Sequence, residues 1–418
     1  MSERGFFSAI KSLFGRHEVG LLLAAVVAVV VTALIDPQHN YYYEPASSAQ
    51  NILRQASLLG IFALGSAVVI IAGGIDLSSG SVIAFSGTVC ASLILILAPE
   101  QIQAGGVPKW VLAAAIGGTL AVGFLIGTLH AWLVVRVGLP PFVATLATLV
   151  GLRSFARAMC QGVTEAVRGS RSTQIQVYDE AFRYLGSSVA VPVTLFVLLT
   201  VATWVLLSRT VLGRHLYALG GNEQAARLCG IRTDRLKWFA YVFSAVLSSL
   251  AGVLYVGFES AANPQTMGRG YELSAIAAAV VGGCSLQGGV GTAPGVALGA
   301  IFLRVVIDAV NKIIKTGADV YQGLIVGAVV VLAVALTQAR DGTERRGGVL
   351  RSPLGWTALV TLSLFAGAFA AVAGPNFFQH PEEVSRKGLG LLAATGTAAA
   401  LLVLNLASRW RSPRALRH

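Results

Sequence analysis

The sequence predicts an all-α polytopic membrane protein with broken, glycine-rich helices in two similar halves, and three observations predict it. Hydrophobic residues are 55% of the 418 and charged residues only 12%, with a mean hydropathy of +0.73; a soluble domain carries about 25% charged residues. Apolar runs recur that are long enough, at ~20 residues, to cross a ~30 Å hydrocarbon core. Two of the interruptions between them carry one glycine pattern, GGxxLxxG, at residues 73–80 and 282–289.

The basic N-terminus precedes an apolar run over 19–35 that ends in Asp36-Pro37 without a small-x-small cleavage site, so it predicts a retained first span. Further spans are expected over 56–73, 80–98, 110–135, 140–159, 188–207, 238–257, 272–284, 292–309 and 320–338. The run 140–159 is interrupted by Arg153 and Arg157, and 272–284 is short and enters glycines. These spans form a core of about ten helices within residues 1–338. A polar linker, 339–353, then leads to a C-terminal extension, 354–418, with about two more spans, 354–373 and 388–408.

The net charge of +12 is concentrated in short segments beside the apolar runs. Such a bias reports membrane orientation, and with no basic stripe interleaved with aromatics it does not describe a nucleic-acid surface. Placing the N-terminus in the cytoplasm puts the basic segments 208–237, 339–353 and 409–418 inside as well. The mixed-charge stretch 160–187 is then outside, as solvated surface or as a docking face. Cys90, Cys160, Cys229 and Cys284 are far apart and form no metal or disulfide pattern.

The candidate pathway residues are Gly73, Gly74, Asp76, Ser78 and Gly80 in the first glycine repeat and Gly282, Gly283, Ser285, Gly288 and Gly289 in the second. Glycine-interrupted segments in matching positions of two halves point to a transport pathway. Broken backbone at membrane depth is tolerated only where it is buried in protein or lines an aqueous cavity. An isolated acid there costs at least ~2.5 kcal/mol, so Asp76 is expected at an interface or as a cap for the helix that follows, with solute contact as the alternative. Asp308 is expected to pair with Arg304 one turn away.

The segment 208–237 is charged and holds GNEQAARLCGI. Asn222 is a good N-cap, Glu223 suits the first turn, and Gly230 can end the helix, giving about two turns, ~10 Å. Ala225 and Ala226 are small enough for another protein's groove to close over them. A basic interfacial helix that only fixes topology is the alternative.

These residues resemble the coupling segment of ABC-importer permeases. Glu223-x-Ala225-Ala226-x-x-x-Gly230 is a loose form of their Glu-Ala-Ala…Gly pattern, with Gln224 inserted. Three further stretches, IIAGGIDLSSGSVIAFSG (70–87), LPPFVATLATLVGLRSFARAMCQG (139–162) and GYELSAIAAAVVGGCSLQGGVGTAPGVALGA (270–300), look like the ribose/xylose/arabinose-type sugar permeases, in the same order. The resemblance covers roughly 50–338 and leaves 354–408 outside. It implies a non-catalytic subunit of the inner membrane, paired with a second permease subunit. An ATP-binding subunit would dock at Asn222, Glu223, Ala225, Ala226 and Gly230, and an extracytoplasmic substrate-binding protein on the other side. No GxxxxGK[ST] phosphate loop occurs, so ATP as a cofactor belongs to the partner. The implied solute is a monosaccharide; nucleosides and branched-chain amino acids are alternatives within the class, and a secondary transporter is the rival outside it.

Overall fold

The computed structural model describes residues 16–36 and 40–313, and single helical residues at 323, 326–328, 331, 360, 363, 364, 393, 395 and 397. The chain divides into two compact units, Met1–Ala309 with Gln322–Thr337, and Val310–Tyr321 with Gln338–His418. Apart from those single residues, the spans expected over 320–338, 354–373 and 388–408 and the linker 339–353 lie outside the described residues.

The described elements are almost entirely helical, the last of them running from the first unit into residues 310–313 of the second. In chain order they are α1 (Arg16–Ile35), α2 (Asn40–Tyr43), α3 (Pro45–Ile71), α4 (Ser79–Leu97), α5 (Gln101–Ala104), α6 (Lys109–Val135), α7 (Pro141–Arg168), β1 (Ile175–Gln176), α8 (Glu180–Ser187), α9 (Ala190–Arg209), α10 (Val211–Gly221), α11 (Glu223–Leu228), α12 (Thr233–Glu259), β2 (Ala261–Ala262), α13 (Tyr271–Val281) and α14 (Ala293–Ile313). Eight of them, α1, α3, α4, α6, α7, α9, α12 and α14, are long and apolar enough to cross a membrane; α13 is a shorter apolar helix of 11 residues. The chain is therefore a multi-pass α-helical membrane protein.

Helix α12 is the centre of the unit and packs along α6, α3 and α4. Small residues let it come close in a setting where apolar burial gives little preference between helix and lipid. A Cβ on Gly65 of α3 would sit 2.8 Å from the Ser244 Cα of α12, so only glycine fits there. Leu58, Ile61, Phe62 and Leu64 of α3, Ile83 and Ile94 of α4, and Tyr255 of α12 are fully buried around this axis. Helices α1 and α9 are largely exposed, as apolar helices facing lipid would be.

Two regions differ from the sequence reading. The segment 160–187 is not a free loop: α7 continues to Arg168, β1 pairs antiparallel with β2 through Ile175↔Ala262, and α8 follows. The Asp179 carboxylate caps α8 by accepting from Phe182 N–H and also accepts from Val107 N–H, both at 2.9 Å, which ties the start of α8 to the stretch that follows Ala104. The pair Asp308–Arg304 gives way to other partners. Asp308 accepts from the Tyr41 hydroxyl at 2.7 Å and from Asn51 at 3.3 Å, while Arg304 donates to the Gln55 side chain at 2.7 Å. On a helix, residues four apart can meet, but the neighbouring α2 and α3 offer each side chain a shorter reach.

Candidate functional site

The two glycine repeats are two helix–break–helix hairpins, α3–α4 and α13–α14. In the first, Gly73 has φ +80° and its N–H reaches the Ile70 carbonyl, while Gly74 N–H reaches that of Val69, both at 2.9 Å. In the second, Gly283 has φ +92° and bonds Val280, while Cys284 bonds Ala279, again at 2.9 Å. Both are left-handed helix ends that satisfy otherwise orphaned carbonyls. The turn glycine is thus the first of its pair in one copy and the second in the other. Past the caps the sequence register returns: Asp76 accepts from Ser78 N–H at 2.9 Å, and Ser285 from Gln287 N–H at 3.2 Å. The second break is one residue shorter between its cap and its turn.

Asp76 is buried, 2% exposed, yet fully supplied with donors. It accepts from Ser78 N–H, from the Ser78 hydroxyl at 2.6 Å, and from the Ser244 hydroxyl of α12 at 2.7 Å. Three donors replace the water a carboxylate loses on burial. Asp76 thus sits at the interface with α12 and closes a turn on Ser78 N–H just ahead of α4, whose N-cap, Ser78, makes no side-chain capping bond. Ser78 and Gly80 are buried with it, as are Gly282 and Gly288, while Gly283, Ser285 and Gly289 are half-buried. A cavity of about 490 Å³ touches Gly73 and Gly74, and continues past the buried Tyr241 hydroxyl, which has no partner, to Asn222, Glu223 and Lys237.

The charged segment forms two helices where the sequence suggested one. Helix α10 starts at the N-cap Thr210, whose hydroxyl accepts from Gly213 N–H at 3.0 Å. Helix α11 then has the bounds expected of it. Asn222 caps it by accepting from Ala225 N–H at 2.9 Å, and Gly230, at φ +79°, lies just past its end. Glu223 accepts from Lys237 at 2.7 Å and Arg227 at 3.4 Å, so α11 is pinned against α12. The two alanines separate: Ala225 is exposed, but Ala226 is buried, 4% exposed, and faces its own chain. Leu228, 90% exposed, stands out beside Ala225. Composition could not single it out, because one leucine in a helix gives no sign of which way it faces.

Helix α10 ends where both hairpins meet. The Gly289 N–H of the second hairpin donates to the Ile71 carbonyl of the first at 2.9 Å. Gly220 lies against that bond: a Cβ there would run into the Ile71 carbonyl and sit 2.5 Å from Gly289 N. A Cβ on Gly288 would come within 2.7 Å of the Gly220 carbonyl and 2.9 Å of Gly73 Cα. Three backbones therefore touch with no side chain between them. The Tyr217 hydroxyl adds a bond to the Gly291 carbonyl at 2.7 Å. Burial, and then the nearby Cys284, push the Tyr217 phenol above its usual range, so it stays a donor. Tyr217 and Gly220 were not legible in sequence; their partners belong to segments far away along the chain.

The model of a family described as "Branched-chain amino acid transport system / permease component" matches residues 48–334. Three curated relatives come from Escherichia coli strain K12. The ribose import permease protein is 35% identical over 315 residues, 75% of this chain and 91% of that protein. The D-allose transport system permease protein is 32% identical over 319 residues, 76% and 90% of the two chains. The galactose/methyl galactoside import permease protein is 30% identical over 348 residues, 82% and 99%. No solved structure matches.

Proposed function

This chain belongs to the transport-system permease family whose model spans residues 48–334, and on that premise we propose that it is the membrane subunit of an ATP-driven importer for a monosaccharide. The ribose, allose and galactose permeases among its relatives support a sugar as the solute over an amino acid. The end that carries α10 and α11 faces the cytoplasm, where the excess of Lys and Arg belongs. A separate ATP-binding subunit seats on α11, a solute-binding protein delivers the sugar on the opposite side, and a second permease subunit completes the pathway.

The observation that carries the mechanism is the junction of Gly220 with Ile71 and Gly289. Helix α11 is pinned by charge to α12 and continuous through Asn222 with α10, and α10 ends on both hairpins. Displacing α11 pushes backbone against backbone at the two breaks, with no flexible side chain to absorb the motion. The experiment is reconstitution in vesicles with the cognate ATP-binding subunit and binding protein, measuring uptake of labelled ribose, allose and galactose. ATP-dependent accumulation of at least one is expected. Accumulation that proceeds without the ATP-binding subunit would assign a secondary carrier, and failure with all three sugars would overturn the monosaccharide reading.

A further inference from the structure

Away from the coupling end, α7 carries charge where lipid should be. At 28 residues it is about 42 Å long, so its middle lies well inside a ~30 Å hydrocarbon core. Arg153 is about 2 Å short of that midpoint and Arg157 about 4 Å beyond it. Arg153 donates to the carbonyls of Pro264 at 3.3 Å, Met267 at 3.1 Å and Gly268 at 3.2 Å, and so holds the irregular segment between β2 and α13 against α7. Arg157 and Arg269, within electrostatic range of it, are both exposed and make no side-chain hydrogen bond or ion pair among the described residues. Glu272 lies in the same range and balances their charge, but its Oε2 is buried against Gly80 and turned away from this face. Beside the guanidinium groups, the small residues Gly151, Ser154 and Ala158 are exposed along α7.

Lipid does not suit this face, because an arginine near mid-bilayer is costly unless it faces protein or water. The contrast is with α9, whose exposed Val197, Leu198 and Val201 are all apolar. A dry contact with a second copy does not suit it either. A two-fold interface sets the same patch against itself, which would bring unpaired cations together out of water. The face therefore borders water. Guanidinium groups bring several fixed N–H donors each, the small residues leave room beside them, and the Ser154 hydroxyl can both donate and accept.

We propose that Arg157, Arg269 and Ser154 form a solute-contact site halfway along the pathway, which hydrogen-bonds the hydroxyl groups of a neutral polyhydroxylated solute. This rests on the reading of the chain as a sugar-conducting subunit. Arg153 is the positioning residue that fixes the segment carrying Arg269.

The test uses the assembled importer in vesicles, with Cys229→Ser removing the exposed native thiol. Ser154→Cys is treated with a negatively charged and a positively charged methanethiosulfonate reagent, and Leu198→Cys serves as the lipid-facing control. Ser154→Cys is expected to react with both, the anionic reagent about tenfold faster because a cationic wall concentrates anions. Arg157→Gln with Arg269→Gln should bring that ratio close to one, and saturating transported sugar should slow both reactions. If Ser154→Cys is as unreactive as Leu198→Cys in an importer that still takes up sugar, the site is overturned while the transport reading stands. Equal rates for both reagents with the arginines intact would overturn it too. An importer that takes up no sugar at all, in the Cys229→Ser parent, would instead strike the transport reading.

Discussion

At the scale of single residues, the exposure of Leu228 and the burial of Ala226 divide α11 into a side that faces out and a side that holds on. Leu228→Asp should leave membrane insertion intact and weaken the ATP-binding subunit's hold by about 2 kcal/mol, about 30-fold, if this leucine anchors the contact. Co-purification of the two subunits and solute-stimulated ATP hydrolysis both read that loss. Unchanged co-purification would show that α11 is not the seat. Gly220→Ala and Gly221→Ala make a sharper pair, because the added methyl meets backbone at Gly220 and open space at Gly221. The first should destabilise by about 1–3 kcal/mol, as overpacking does, and uncouple hydrolysis from uptake; the second should behave nearly as the parent in thermal unfolding and in transport.

At the scale of elements, the two hairpins answer differently to chemistry from water. Ser78→Cys sits beside buried Asp76 and should resist small aqueous thiol reagents at rest, whereas Ser285→Cys, half-buried on the shorter break, should react. Equal reactivity would mean that the first hairpin opens far more readily than its bonds to Ser244 and Thr145 imply. The starts and ends of most spans were legible because apolar runs, Gly73, Gly230 and the cap Asn222 act locally. Helix α10 was not, because VLGRHLYALGG mixes glycine and charge, and its stability comes from Leu216 and Leu219 packing inward. The length of α7 was also hidden. Arg153 and Arg157 look like interruptions in sequence, and only the carbonyls of 264, 267 and 268, more than 100 residues on, explain how Arg153 can lie there.

At the scale of the whole molecule, the relatives set an expectation for the C-terminal stretch. The family model ends at residue 334 and the ribose import permease protein is matched over 91% of its length by 75% of this chain. A stop after residue 338 should therefore keep at least about half of the parent's uptake once corrected for the amount of protein in the membrane, since the junction, α11 and the arginine-bearing face all lie earlier. Loss of uptake with normal insertion would assign the extension a part in transport. The junction itself could not be read from sequence, because the glycines that meet there belong to three segments and each resembles an ordinary turn or packing glycine on its own.

The bond from Gly289 to Ile71 also sets an order of biogenesis. The Ile71 carbonyl is made early and its partner arrives about 220 residues later, about 10–40 s of synthesis at ordinary rates. Until then the first hairpin stands in the bilayer with an open acceptor at its bend. Nascent chains arrested before residue 289 should be cut by protease near Gly73, and those arrested well after it should be protected. The second glycine hairpin would thus act as the latch that completes the first.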